Sequence, residues 1–181
     1  MLRDGTDWIQ VYSGGIFYPL APKVEEVDMF DICHALSNLC RFAGHSREFY
    51  SVAQHSVLVS QNVPPEDALW GLLHDATEAY LTDMPRPLKR APVFGELYLQ
   101  YENKLMDVII EKFGLSPTMP LSVKEADTIL LMTEARDLLE KPPIPWSENP
   151  VKLLDSRIIP LPPVKAKKFF LDRYTELTKK C

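Results

Sequence analysis

Sixteen prolines against seven glycines, with the prolines gathered in clusters, place the tightest limit on what this chain can fold into. Each cluster removes backbone donors and fixes φ, so neither a helix interior nor a central strand can run through it. Between the clusters the apolar residues recur mostly with helical spacing. The chain therefore reads as all-α. Helices are expected over about 28–42, 51–62, the segment around LLHDATEAYLTD (72–83), 95–113 with Gly114 as a C-terminal cap, 121–140 and 163–179. VPPED opens the third of these, Pro85 and Pro87 end it, and KPPIPWSENP reads as a surface loop. One stretch departs from the helical pattern. In DWIQVYSGGIFYPL, apolar and aromatic runs flank Ser13-Gly14-Gly15, which predicts a short N-terminal hairpin or extended element.

At 181 residues the chain is long enough to bury one full core, and residues 1–181 read as a single domain. A net charge of −5 argues against extended polynucleotide or an anionic membrane as partner. No apolar run approaches the ~20 residues that cross a bilayer, and the first residues lack the pattern of a signal peptide. Cys33, Cys40 and Cys181, odd in number and irregularly spaced, point to reduced thiols in a cytoplasmic protein.

The chemistry concentrates in three segments. On a helical projection, Leu69, Leu72, Leu73, Ala76 and Tyr80 form an apolar stripe, and His74, Asp75 and Glu78 lie opposite it. Read alone, that side is a solvated face, although Trp70, Ala79 and Leu81 flank it with bulk that suggests burial. His55 sits among Val52 and Val59, on the core side of its helix. Asp127 shares a stripe with Val123, Leu130 and Leu131, where an acid needs a partner or a metal. His34, on a face with Asn38 and Arg41, reads as structural. Imidazole and carboxylate together suit one divalent transition metal rather than calcium, which prefers all-oxygen ligands.

The order of these residues (a lone His55, an adjacent His74-Asp75, a distant Asp127) resembles the HD-domain metal-dependent phosphohydrolases. The small branch of that superfamily that hydrolyses deoxynucleotides is the nearer likeness. The resemblance spans about residues 41–137 through CRF, QHSV, LLHDATEAYLTDMPRPLK and KEADTI. It implies an HD-type helical bundle in which His55, His74, Asp75 and Asp127 hold one divalent cation (Zn, Mn, Co, Ni or Mg). Glu78 is then the group that orients or deprotonates water or protonates the leaving oxygen. Asp83 is a second acid–base group or an acceptor for a ribose hydroxyl. Arg41 would grip phosphate and Phe42 would stack on a base, with His45, Arg86, Lys89 and Lys124 as further substrate contacts. Here Phe42 stands where the family's more familiar residue is Trp.

The substrate so implied is a deoxynucleotide, with dATP hydrolysis to deoxyadenosine and triphosphate favoured over hydrolysis of a dNMP. The preference rests on the number of cations near the motif: Arg41, Arg47, Arg86, Lys89 and Arg90. A homo-oligomer is expected, with the fourth and last helices as the natural contacts. Two other readings stay open: a broader HD phosphodiesterase or signalling-nucleotide hydrolase, and a non-enzymatic helical binding module with a structural metal.

Overall fold

The computed structural model describes residues 3, 5, 7–146 and 151–179. Cys181 and the end of the Pro-rich loop, 147–150, lie outside them. A two-stranded antiparallel hairpin comes first, β1 (Ile9–Gln10) and β2 (Ile16–Phe17), with Ile9 opposite Phe17. The remainder is helical: α1 (Met29–Asn38), α2 (Val52–Gln61), α3 (Ala68–Leu73), α4 (Glu78–Leu81), α5 (Arg86–Lys89), α6 (Phe94–Phe113), α7 (Leu121–Leu138) and α8 (Pro163–Thr178). The all-α expectation with a small extended element at the front holds. Among the described residues no helix is long and apolar enough to cross a membrane.

Local chemistry sets several boundaries. Asp28 caps α1 by accepting from the Phe30 and Asp31 N–H groups, and the Ser51 hydroxyl caps α2 by accepting from Gln54 N–H. Gly114, at φ 64°, ends α6 in the left-handed conformation, as its position in the sequence predicts.

Three expectations need correction. Helix α1 ends at Asn38, not near Phe42, because residues 39–41 turn extended and bridge to 50–52: Arg41 N–H donates to Tyr50 O, and Val52 N–H to Leu39 O. The helix expected to carry the whole His-Asp motif breaks inside it. His74 Nδ1 takes the carbonyl of Gly71 that the Asp75 N–H would use in an unbroken helix. The following N–H groups of Ala76, Glu78, Ala79 and Tyr80 then bond three residues back instead of four. Beyond it, the Pro85–Pro87 stretch carries one helical turn of its own, α5, in which Pro87 occupies an early position that needs no N–H.

Helix α2 lies at the centre, packed on α1, α3, α7 and α8, and is buried nearly all round. The larger core joins Ile32 and Leu36 of α1, Val52 and Val57 of α2, Leu72 and Leu73 of α3, Leu105 and Ile109 of α6, and Phe170 of α8. Truncating a fully buried ring such as Phe170 to Ala costs about 3–5 kcal/mol. Phe17 carries the hairpin into this core by stacking on Tyr80, ring centres 3.8 Å apart. A smaller core joins Val59, Trp70, Val123, Ala126 and Leu130 beneath α7. Gly71 lets α3 approach α2: a Cβ there would lie 2.9 Å from Ser60 Cα.

Candidate metal centre

The polar side of the His-Asp segment is not a solvated face. His74 and Glu78 are buried and Asp75 is half-buried, and His74 and Asp75 both reach His55 of α2. His55 reaches the same point from α2 and is fully buried; Asp127 reaches it from α7. His55 Nε2 lies 3.3 Å from His74 Nε2, 3.2 Å from Asp127 Oδ1 and 3.6 Å from Asp75 Oδ2. His74 Nε2 lies 3.2 Å from Asp75 Oδ2. His55, His74 and Asp75 form a group whose ligand atoms all lie within 4.8 Å of one another and could hold a metal ion. Asp127 is not a member of that group; it touches it through His55.

Proton bookkeeping makes the centre unusual. His74 Nδ1 lies 2.8 Å from the Gly71 carbonyl, and His55 Nδ1 lies 2.6 Å from Glu134 Oε1. Both partners only accept, so both Nδ1 atoms must donate, and each neutral ring turns a bare Nε2 to the centre. Two nitrogen lone pairs and two carboxylates thus meet with no donor among them. Only a cation or added protons satisfy such a set. Ligand atoms at about 2.0–2.2 Å from one cation stand about 3.0–3.6 Å from each other, the spacing seen here.

Behind the centre a second layer fixes it. Glu134, fully buried on α7, accepts from His55 Nδ1, from the Tyr50 hydroxyl at 2.8 Å and from Arg41 Nε at 3.2 Å. Arg41 Nη2 also reaches Glu134 Oε2 at 3.2 Å, while its Nη1 reaches Asp75 at 3.4 Å. Burial works against the Glu134 carboxylate, but Arg41, His55 and Tyr50 hold its pKa below the usual range. Asp75 and Asp127 are likewise held low by the facing histidines against the pull of burial. Three ionised carboxylates against one guanidinium leave two negative charges, the charge that a divalent cation balances. In the metal-free protein a proton serves in part: burial and Arg41 depress His55, yet Glu134 and Asp127 outweigh them and raise it to about 9.

Glu78 behaves oppositely. Burial, Asp75 and Asp83 push its carboxyl well above the ordinary value, and its Oε2 is buried without a hydrogen-bond partner among the described residues. Asp83, half-buried past the end of α4, is also raised, burial being the main cause.

The expected substrate contacts are placed unevenly. Phe42 is half-buried at φ 57°, its ring 5.5 Å from the Arg41 guanidinium carbon and 6.0 Å from the ring of Trp146. Lys89 pairs with Glu102 at 2.7 Å, and Arg47 with Glu140 at 2.9 Å. His45, Arg86 and Lys124 are exposed and, among the described residues, make no hydrogen bond or ion pair with the cluster. His34 stacks on Tyr12 of the hairpin, ring centres 3.6 Å apart, which agrees with a structural role. Sequence reasoning missed Glu134 and Tyr50. The available signal for Glu134 was its position seven residues after Asp127, on the same face of α7.

Comparisons with known proteins give relatives without an assigned activity. No family model matches the chain. It is 44% identical over 178 residues to the Escherichia coli (strain K12) protein described as "Uncharacterized protein YfdR", a match covering 96% of this chain and 98% of that protein. It is 31% identical over 144 residues to "Uncharacterized protein RCAP_rcc00048" of Rhodobacter capsulatus, with 72% of each chain covered.

Proposed function

The chain belongs to the family of YfdR, and we propose that this member is a divalent-metal-dependent phosphohydrolase of the HD type acting on cytoplasmic deoxynucleotides. One observation carries the reading: two imidazole Nε2 atoms 3.3 Å apart, both acceptors when the rings are neutral, together with Asp75 and Asp127. His55, His74, Asp75 and Asp127 would hold the cation. A divalent cation supplies Lewis acidity toward phosphoryl oxygens and toward water. The chain's own groups do the rest. Glu78, whose buried Oε2 lacks a partner, holds a proton beside the centre and is suited to give it to a leaving oxygen or to exchange it with water. Asp83, half-buried past the end of α4, would be a second acid–base group or a partner for a sugar hydroxyl. Arg41 keeps the Asp75 carboxylate in place, and the Phe42 ring lies 5.5 Å from its guanidinium carbon.

The pairing of Arg41, Arg47 and Lys89 with carboxylates bears on the phosphate count. It leaves Arg86 and Arg90 as the unpaired members of the five-cation set among the described residues. This favours keeping dNMP hydrolysis as a second reading beside dATP triphosphohydrolase activity. The exposed Phe94 and Leu97 of α6 are where homo-oligomer contacts would be sought.

The test is a product assay with added Mn or Co and dATP, dGTP or dAMP. Deoxyadenosine formed from dATP without a dAMP intermediate is the expected outcome. Deoxyadenosine from dAMP alone would select the nucleotidase reading, and no turnover of any of them with metal bound would remove both.

A further inference from the structure

Glu134 lies behind the centre, and both its oxygens are used up there. Oε1 accepts from His55 Nδ1 at 2.6 Å and from the Tyr50 hydroxyl at 2.8 Å; Oε2 accepts from Arg41 Nε at 3.2 Å and is ion-paired with Arg41 Nη2 at 3.2 Å. Three hydrogen bonds and the ion pair engage both oxygens, and Glu134 is spent on this layer and not on a cation. It nevertheless touches the one ring whose other nitrogen faces the centre. The same helix supplies both grips on that ring: Asp127 meets Nε2 at 3.2 Å and Glu134 meets Nδ1. The two residues stand seven apart, about 10 Å along the axis of α7, which is enough to clasp an imidazole from both ends.

We propose that Glu134 is a positioning residue that fixes the proton of His55 on Nδ1 and thereby keeps Nε2 free as a ligand, with Arg41 held by the same carboxylate. The proposal rests on the reading of the centre as a divalent-cation site and adds to it the residue that sets its affinity. An imidazole has one lone pair to give when neutral. If the proton moves to Nε2, His55 stops being a ligand without any atom shifting place. Partners on the far nitrogen of a ligating histidine are commonly worth 10–100-fold in metal affinity.

Glu134→Gln tests this with little change of volume. A carboxamide has a single acceptor oxygen, and the charged Arg41 competes for it more strongly than the imidazole does. The NH2 then turns to His55 and requires an acceptor at Nδ1, which moves the ring proton to Nε2. Tyr50→Phe is the companion variant: it removes a donor from the same oxygen but leaves the His55 bond intact. Zinc affinity is measured by competition with a chromophoric chelator, and the His55 ring proton by long-range 1H–15N NMR of the zinc-loaded protein.

In wild type, the Nδ1–H of His55 should appear as a downfield, slowly exchanging proton. Glu134→Gln, folded by circular dichroism, should bind zinc about 10–100-fold more weakly and lose that resonance, whereas Tyr50→Phe should keep it. Wild-type zinc affinity in folded Glu134→Gln would overturn the proposal. If Glu134→Gln does not fold, the wild-type spectrum decides: a His55 ring protonated on Nδ1 supports the proposal, and one protonated on Nε2 defeats it. A wild type that binds neither zinc, manganese nor cobalt would defeat the metal reading itself. The wild-type spectrum at a pH where the ring is neutral would still show which nitrogen Glu134 selects.

Discussion

Asp127 and Glu78 are carboxyl groups shifted in opposite directions, Asp127 down and Glu78 up. Asp127 is held low by the facing His55, and in the proposed reading it is a ligand of the cation. Glu78 is pushed toward its neutral form, and in the proposed reading it serves the reaction and not the binding of the cation. Asp127→Asn should therefore lower zinc or manganese affinity by at least tenfold, as loss of a ligand charge does. Glu78→Gln should bind metal like wild type and lose turnover by about 10²–10⁴-fold. Equal metal binding by Asp127→Asn and wild type would remove it from the ligand set. Full activity in Glu78→Gln would remove its proton-transfer role. A pH dependence follows from His55. Its pKa in the metal-free fold is about 9, above the 6.5 of an ordinary imidazole, so its contribution to stability is complete below pH 6.5 and disappears as pH rises through 9. The shift corresponds to a term on the order of 3 kcal/mol. Chelator-treated protein should lose melting temperature steadily between pH 7 and 9.5, and saturating zinc should flatten that slope by standing in for the proton. His55 and Asp127 were legible because polar groups on apolar stripes are conspicuous. Glu134 was not, because its donors lie 79, 84 and 93 residues away and its one local mark is a shared helix face with Asp127.

At the level of elements, the break between α3 and α4 is what converts a helix face into a centre. An unbroken helix places His74 and Asp75 about 100° apart. The tightened turn, held by His74 Nδ1 on the Gly71 carbonyl, instead brings His74 Nε2 and Asp75 Oδ2 within 3.2 Å. Periodicity could not reveal this, since the break depends on a ring drawn inward by partners on other helices. The early end of α1 was hidden for a related reason. Phe42 and Ala43, at φ 57° and 50°, adopt a left-handed backbone that their side chains do not favour. The bridge between 39–41 and 50–52 imposes the turn, and that bridge is a pairing across the chain. Gly71 offers a test of the packing. Alanine there would gain up to about 1 kcal/mol in helix propensity, but its Cβ would lie 2.9 Å from the Ser60 backbone, which cannot swing away. Such overpacking costs about 1–3 kcal/mol. Gly71→Ala should therefore melt a few degrees lower and, because the same residue's carbonyl orients His74, bind zinc more weakly. A melting temperature at or above wild type would show that α2 and α3 are less closely apposed.

On the scale of the whole molecule, the centre lies between two apolar cores without being part of either. The larger core draws on α1, α2, α3, α6 and α8, and the smaller on α2, α3 and α7. Neither depends on a metal to bury its side chains. Without a cation the buried carboxylates keep Arg41 and a protonated His55 as counter-charges, so the cluster is strained but not unbalanced enough to open the fold. This separates an enzyme site from a structural one. Small metal-built domains unfold on chelation because metal binding energy is their folding energy. Here the cation should act as an ordinary ligand of the native state, stabilising it by about 2.7 kcal/mol when present at a hundred times its dissociation constant. For a chain of this size that corresponds to roughly 5–10 °C in melting temperature. Chelator-treated protein should thus keep its helical circular dichroism and a cooperative transition at 25 °C, melt roughly 5–10 °C lower at pH 7, and recover on adding zinc or manganese. Loss of the helical signal on chelation would make the metal structural and favour the binding-module reading over the hydrolase.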